Sequence, residues 1–293
     1  MSKEYMLPRQ YSDSSTLGKV YLVGAGPGAA DLITMRGAKC LEKAGIVFYD
    51  ALVEPETLAL CPQAKLVPVG KRCGKLSSAQ QFINKQLVDA AHQHSIVVRL
   101  KGGDPMLFGR ADEELNALRL AGIEVEVVPG ITAALAGAAA MGQSLSLRGV
   151  SRSVAFVTLA QGDEIAVKGQ PMSHPIADTL VYYMGRRDAV KIATQLIDQA
   201  THHTIDTTVH ILEAVSTPRE RRWSGTLGAL AQGHADAWFD SSSPVLIMIG
   251  NALKNADHKR NTGQKSEQSN MLDTEVNDCL QDGLIFTHSR RCA

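Results

Sequence analysis

Residues 97–110, VVRLKGGDPMLFGR, run from an apolar strand-like segment straight into a turn with adjacent glycines. Gly102 and Gly103 carry no side chain, so a ligand can lie against bare backbone there. Pro105 keeps Asp104 extended, which aims the carboxylate and its neighbouring amides outward. Arg110 follows, and Glu113 stands one helical turn beyond it, a spacing that lets guanidinium and carboxylate share a face. A second glycine segment, Gly24-Ala25-Gly26-Pro27-Gly28-Ala29, matches the relaxed GxGxxG/A pattern, with Asp50 roughly where a ribose-binding acid would stand. In a third, VVPGITAALAGAA, Gly130 turns the chain and Thr132 is placed either as a helix cap or as a ligand contact.

Two chemistries compete for these glycines. A dinucleotide site needs a helix N-terminus against the glycines, so that its free N–H groups meet the pyrophosphate. Here the best helix start is Thr34, several residues beyond Gly28, and Pro27 removes one N–H from any cradle. A loop of that length suits the approach of a bulky flat ligand better than a grip on phosphates. A nicotinamide-dependent oxidoreductase remains the rival reading, resting on residues 24–29 and Asp50.

The elements that must hold these loops alternate. Apolar runs at KVYLVGAG, GIVFYD, KLVPVG, IVVRL and IEVEVVPG read as strands, the first with the look of a buried one. Helical patterns separate them, one from Thr34 with Gly45 as its stop, another capped at Ser77 or Ser78. The βαβα rhythm implies a parallel sheet with helices on its faces. After a break at QSLSLRGVSRS, strands at SVAFVTLA, TLVYYMG, TVHILEAV and SPVLIMIG and a helix at RDAVKIATQLID form a second α/β half. The expected organisation is a tail over 1–16, α/β domains over 17–149 and 150–254, and a C-terminal tail over 255–293, both tails mostly disordered by composition. The ligand is expected in the cleft between the domains.

Composition narrows the classes. Of 293 residues, 30 are Lys or Arg and 30 Asp or Glu, a formal net charge of zero that argues against a general nucleic-acid binder. The five cysteines have no paired spacing, as in a reduced cytoplasmic protein. The histidines form no HExxH or Cys/His array, so no metal is expected. No segment reaches the ~18 continuous apolar residues of a membrane span, and the N-terminus lacks a signal-like apolar region.

Taken in order, VGAGPG, YDALV, GKR, VVRLKGGDPMLFGR, VVPGITAA and TLVYYMG resemble the uroporphyrinogen-III C-methyltransferases, a branch of the tetrapyrrole methylases, over about residues 18–253. The resemblance implies two α/β domains, S-adenosylmethionine as methyl donor, a homodimer, and methylation of uroporphyrinogen III at C2 and C7 to give precorrin-2. It implies donor contacts at Pro27, Gly102, Gly103, Asp104, Met106, Thr132, Ala133 and Met184. The first glycine loop, with Gly24 and Gly26, and Asp50 are expected toward the tetrapyrrole. Arg110, Arg148 and Arg152 are expected on its carboxylates, which guanidinium forks bind bidentately, with Lys71 and Arg72 as further candidates. Arg110 and Glu113 are the catalytic candidates, Glu113 orienting Arg110 or accepting the proton lost after methylation. Two departures stand out: the usual GPGDP lacks its acid at Ala29, with Asp31 a possible substitute, and Leu76-Ser77 replaces the usual histidine-serine. Alternative readings are another methylase of the same fold, with a precorrin, diphthine or ribosomal-RNA substrate, and a non-enzymatic cofactor-binding module.

Overall fold

The computed structural model describes residues 17–69, 76–159, 174–199 and 202–254. Both tails and the Lys71–Arg72 pair lie outside these residues. Strands β1 (Lys19–Gly24), β2 (Ile46–Tyr49), β3 (Lys65–Pro68), β4 (Ile96–Lys101) and β5 (Val125–Val128) form a parallel sheet in the order β3-β2-β4-β1-β5. Helices α1 (Met35–Glu42), α2 (Pro55–Leu58), α3 (Leu76–Ala91) and α4 (Ala111–Leu120) connect the strands. Parallel strands covered on both faces need apolar residues on both sides, and Val20, Leu22, Val23, Val97, Val98 and Leu100 are all fully buried. Residues of α3 and α4, including Leu87, Leu115 and Leu118, pack on one face, and Leu41 and Ala44 at α1 pack on the other.

The ends of two helices differ from expectation. Thr34 caps α1 by accepting the Gly37 N–H at 3.1 Å, as its sequence position implies. The helix closes at Lys43 in the right-handed conformation, however, so Gly45 is not its stop. Gly45 instead gives room to His94, whose Nδ1 would lie 3.0 Å from any Cβ there. Helix α3 already begins at Leu76, ahead of Ser77 and Ser78, so neither serine is its cap.

Helix α5 (Ala133–Met141) leads into the second sheet, β6 (Val154–Thr158), β7 (Thr179–Tyr183), β8 (Thr208–Glu213), β9 (Arg221–Thr226) and β10 (Val245–Gly250), ordered β6-β7-β10-β8-β9. Only β6 and β7 are parallel; the other pairings are antiparallel. Helices α6 (Ala189–Asp198) and α7 (Leu227–Ala231) cover one face, where Leu196, Leu227 and Leu230 join the core. Helix α5 covers the other, with Ala134, Ala136 and Ala138 against Val181, Leu212, Leu246 and Met248. Its small residues set the distance: a Cβ on Gly137 would lie 3.4 Å from Leu212 Cδ2.

Beneath the first sheet's C-terminal edge lies a buried ion cluster. Glu114 on α4 is fully buried and accepts from Arg99 Nε at 3.0 Å, from Lys101 Nζ at 3.1 and 3.2 Å, and from Gln80 Nε2 at 3.1 Å. Arg99 also donates to Asp50 at 2.6 Å. Burial disfavours the Arg99 charge, but Asp50 and Glu114 outweigh it and leave its pKa raised. Burial, followed by repulsion from Arg99, lowers that of Lys101.

Removing one member of a buried ion cluster strands the others at a cost of about 3–5 kcal/mol, so Glu114→Gln is expected to lose about that much in urea denaturation. A loss below about 1 kcal/mol would show that the cluster is not what holds α4 to β4.

His203 and His210 are buried and have lowered pKa values, burial being the main cause in each. His203 Nε2 donates to Ala177 O at 3.0 Å, and its Nδ1 is buried without a partner. His210 donates through Nε2 to Leu253 O at 3.0 Å and pairs through Nδ1 with Ser224 Oγ at 2.8 Å. The unfolded chain protonates both near the ordinary imidazole pKa of about 6.5, while the folded chain resists. Their stabilising contribution is therefore present above about pH 6.5 and is lost as pH falls through the lowered folded values. Melting temperature followed from pH 8 to pH 5 is expected to drop below about pH 6.5, and less steeply in His210→Gln.

Candidate active site

Three parallel strand ends meet almost without side chains. A Cβ on Gly24, closing β1, would lie 2.6 Å from Gly130 Cα and 2.7 Å from Gly103 O. One on Gly130, just after β5, would lie 2.2 Å from Gly103 O. Gly26 N donates to Gly103 O at 3.2 Å and Gly103 N to Gly26 O at 2.7 Å, while Ala25 N donates to Lys101 O at 2.8 Å. Gly24 and Gly26, expected toward the acceptor, are both buried; they shape the floor by letting the loops touch. Gly103 differs: with φ +68° and nothing within 4 Å of a Cβ position, it faces open space.

Asp104 does not present its carboxylate outward as expected. Oδ1 accepts the Met106 N–H at 2.8 Å and Oδ2 accepts the Gly130 N–H at 2.8 Å. The two acceptors of one carboxylate thus curl its own loop and clamp it to the VVPG turn. Pro105 is buried beneath, and Met106 and Phe108 remain exposed.

Thr132 stands at the N-cap of α5, but its side chain makes no capping bond. Its hydroxyl lies 2.6 Å from Tyr183 Oη, and the Ala134 N–H donates to the same Oη at 3.1 Å. Phe108 meets the Tyr183 ring edge-on at 5.1 Å between centroids, and Phe156 does so at 6.1 Å. These contacts join GGDPMLF, GITAA and YYMG into one site, bringing Gly102, Gly103, Asp104, Met106, Thr132, Ala133 and Met184 together through their segments.

Arg110 opens α4, and its Nε and Nη2 donate to Glu113 Oε1 and Oε2 at 2.6 and 2.8 Å, a bidentate fork. Both side chains are exposed, at 40% and 47%. Asp50 is paired with Arg99, and its side chain is still 30% exposed. Arg148 lies in the exposed turn that Leu147 and Ser151 close, and the Arg152 N–H donates to Asp178 at 2.9 Å. From Phe156 an open groove of about 540 Å³ runs between α5 and β6 past Ser144 and Ser146 toward that turn.

The first glycine loop is also held from the second sheet. Ala29 N donates to Ser216 Oγ at 3.1 Å, and a Cβ on Gly28 would lie 2.5 Å from Thr217 Cγ2. Arg219 reaches Glu54 at 3.2 Å. Pro27 is half-buried beside this contact. Ala29, where the usual pattern has an acid, opens the 3-10 turn Ala30–Leu32 without a side-chain cap. Among the described residues, the non-glycine residues with positive φ are Phe108, Arg110, Met184, Ala214 and Ser216. Phe108, Arg110, Met184 and Ser216 lie in the segments just described, and Ala214 stands two residues before Ser216.

Four residues that complete the arrangement escaped sequence reasoning. Glu114 was identifiable, because it shares the buried stripe of Ala111, Leu115 and Leu118. Lys101 and Tyr183 sit beside the motifs, but their partners lie on other elements. For Ser216, no local signal marks the contact.

A family model described as Tetrapyrrole (Corrin/Porphyrin) Methylases matches residues 19–231. The chain is 40% identical over 237 residues to the uroporphyrinogen-III C-methyltransferase of Pseudomonas aeruginosa, covering 81% of this chain and 95% of that protein. It is 38% identical over 270 residues to the siroheme synthase of Psychrobacter sp., covering 89% of this chain but spanning only 54% of that longer protein. Among solved structures it resembles uroporphyrin-III C-methyl transferase from Thermus thermophilus complexed with S-adenyl homocysteine. That match has 35% identity and a TM-score of 0.67, covering 81% of this chain and 94% of that one. The match over residues 19–231 and these likenesses share one meaning: the chain belongs to the tetrapyrrole methylases.

Proposed function

We propose that the protein is an S-adenosylmethionine-dependent methyltransferase that methylates uroporphyrinogen III at C2 and C7 to give precorrin-2. One observation carries this reading: the GGDP, GITAA and YYMG segments are bonded into a single site through Asp104–Gly130 and Thr132–Tyr183. Open space beside Gly103 and exposed Met106, Phe108 and Met184 suit a ligand with both a chain and a flat ring. When bound, the donor supplies an electrophilic methyl group on sulfonium. The chain's task is then mainly alignment of donor and acceptor, and positioning is an effective source of rate.

Residues 102–104, Met106, Thr132, Ala133, Met184 and Pro27 hold the donor in this reading. Arg110, Arg148 and Arg152 meet acceptor carboxylates, with Asp50 and the loop of Gly24 and Gly26 shaping that side. Glu113 grips Arg110 and fixes its fork; it orients the guanidinium or takes the proton released from the macrocycle. The working protein is a cytoplasmic homodimer without nucleic-acid or membrane partners, its domains dividing near residue 149. The unpaired cysteine spacing and the zero formal charge support this picture.

Anaerobic incubation with uroporphyrinogen III and labelled S-adenosylmethionine is expected to place two labelled methyl groups on each macrocycle; a product with none would overturn the proposal. In single-turnover transfer, Glu113→Gln and Arg110→Lys are each expected to be slower by about tenfold or more. Unchanged rates in both would remove the pair from the mechanism.

A further inference from the structure

We infer that Tyr183 is a positioning residue for the methyl donor: its hydroxyl, fixed by Ala134 and Thr132, turns the Thr132 hydroxyl into a hydrogen-bond donor aimed at an oxygen of that ligand. This rests on the proposed reading of Thr132 as a donor contact. The Ala134 N–H can only donate, so it occupies one lone pair of Tyr183 Oη at 3.1 Å. Thr132 Oγ1 and Tyr183 Oη then share one hydrogen across 2.6 Å, although the two hydroxyls carry two between them. One hydrogen is left over.

Its owner follows from the chemistry of the two groups. A phenol is the stronger donor and the weaker acceptor, and this one already accepts from Ala134. Tyr183 therefore donates to Thr132, and the free hydrogen is on Thr132, whose hydroxyl rotor can direct it. Burial raises the Tyr183 pKa, so the phenol keeps the proton that the arrangement needs.

The location gives the arrangement a purpose. Thr132 holds the N-cap position of α5 without capping it, and a tyrosine from β7 does so instead. That releases the threonine side chain from local work. The Tyr183 ring makes edge contacts with both Phe108 and Phe156, and Met184 follows it with φ +58°. One side chain thus sets the relative position of three segments assigned to the donor.

The test is a double-mutant cycle read by calorimetry with S-adenosylhomocysteine on the full chain. Tyr183→Phe keeps the ring against its aromatic neighbours and removes only the oxygen, and melting temperature checks the fold of every variant. Tyr183→Phe and Thr132→Val are each expected to weaken binding about tenfold, and the double variant no further than the weaker single. Thr132→Ser, which keeps the hydroxyl, is expected to bind within about threefold of the native chain, and Tyr183→Phe to leave the KM for uroporphyrinogen III within about twofold. Native affinity in Tyr183→Phe, or losses that multiply in the double variant, would overturn the inference. Absence of S-adenosylhomocysteine binding by the native chain would instead overturn the proposed donor site, so the two failures are distinct.

Discussion

The structure depends on the backbone contact among Gly24, Gly103 and Gly130. Parallel strands in one sheet all end at the same edge, and their loops normally keep side-chain distance from one another. Here three of them touch backbone to backbone, and prospective Cβ atoms on Gly24 and Gly130 would lie 2.2–3.0 Å from main-chain atoms of their neighbours. A methyl group on Gly24 or Gly130 has nowhere to go, because what it meets is main chain. The contact makes GAGPG, GGDP and VVPG a single surface, and the Asp104 carboxylate then locks that surface by taking the Gly130 amide.

Below this layer, charge does what apolar packing cannot. Lys101 emerges from β4 directly under the GGDP turn, and its stem passes so near Gly109 that a Cβ there would lie 3.1 Å from Lys101 Cε. Glu114 anchors Lys101 and Arg99 together, and Arg99 carries the tie onward to Asp50. The loop above is therefore fastened at both ends, by Glu114 below and by Asp104 across. Above it, strain in Phe108 and Arg110 is retained because both sides are held; non-glycine residues in the left-handed region cost about 1–3 kcal/mol each.

The first sheet was largely legible because its inner strands β1, β2 and β4 are mostly buried and so are written as apolar runs; the edge strand β3 is mostly exposed. The second was legible only in part. Its edge strand β9, RRWSGT, is polar and exposed along much of its length, so no apolar run marks it; the Arg221–Glu213 pair and register with β8 hold it instead. At the site, sequence spacing found the Arg110–Glu113 fork, since both lie on one helix turn. It overlooked Glu114 next door because neighbouring acids look alike until the apolar stripe is followed through them. Thr132 shows the limit most clearly: a threonine before a helix reads as its cap or as a ligand contact, and neither reading names Tyr183, whose hydroxyl it meets.

Helix α5 has a consequence for how the molecule divides. It enters directly from the glycine turn of the first sheet, yet its alanine face is part of the second sheet's core. Ser216 and Arg219 return the connection in the opposite direction, onto Ala29 and Glu54. The two halves are thus interlocked, each holding a piece of the other. A chimaera joining the first half of one such chain to the second half of another inherits a mismatched seam unless α5 and residues 214–219 travel with the surfaces they serve.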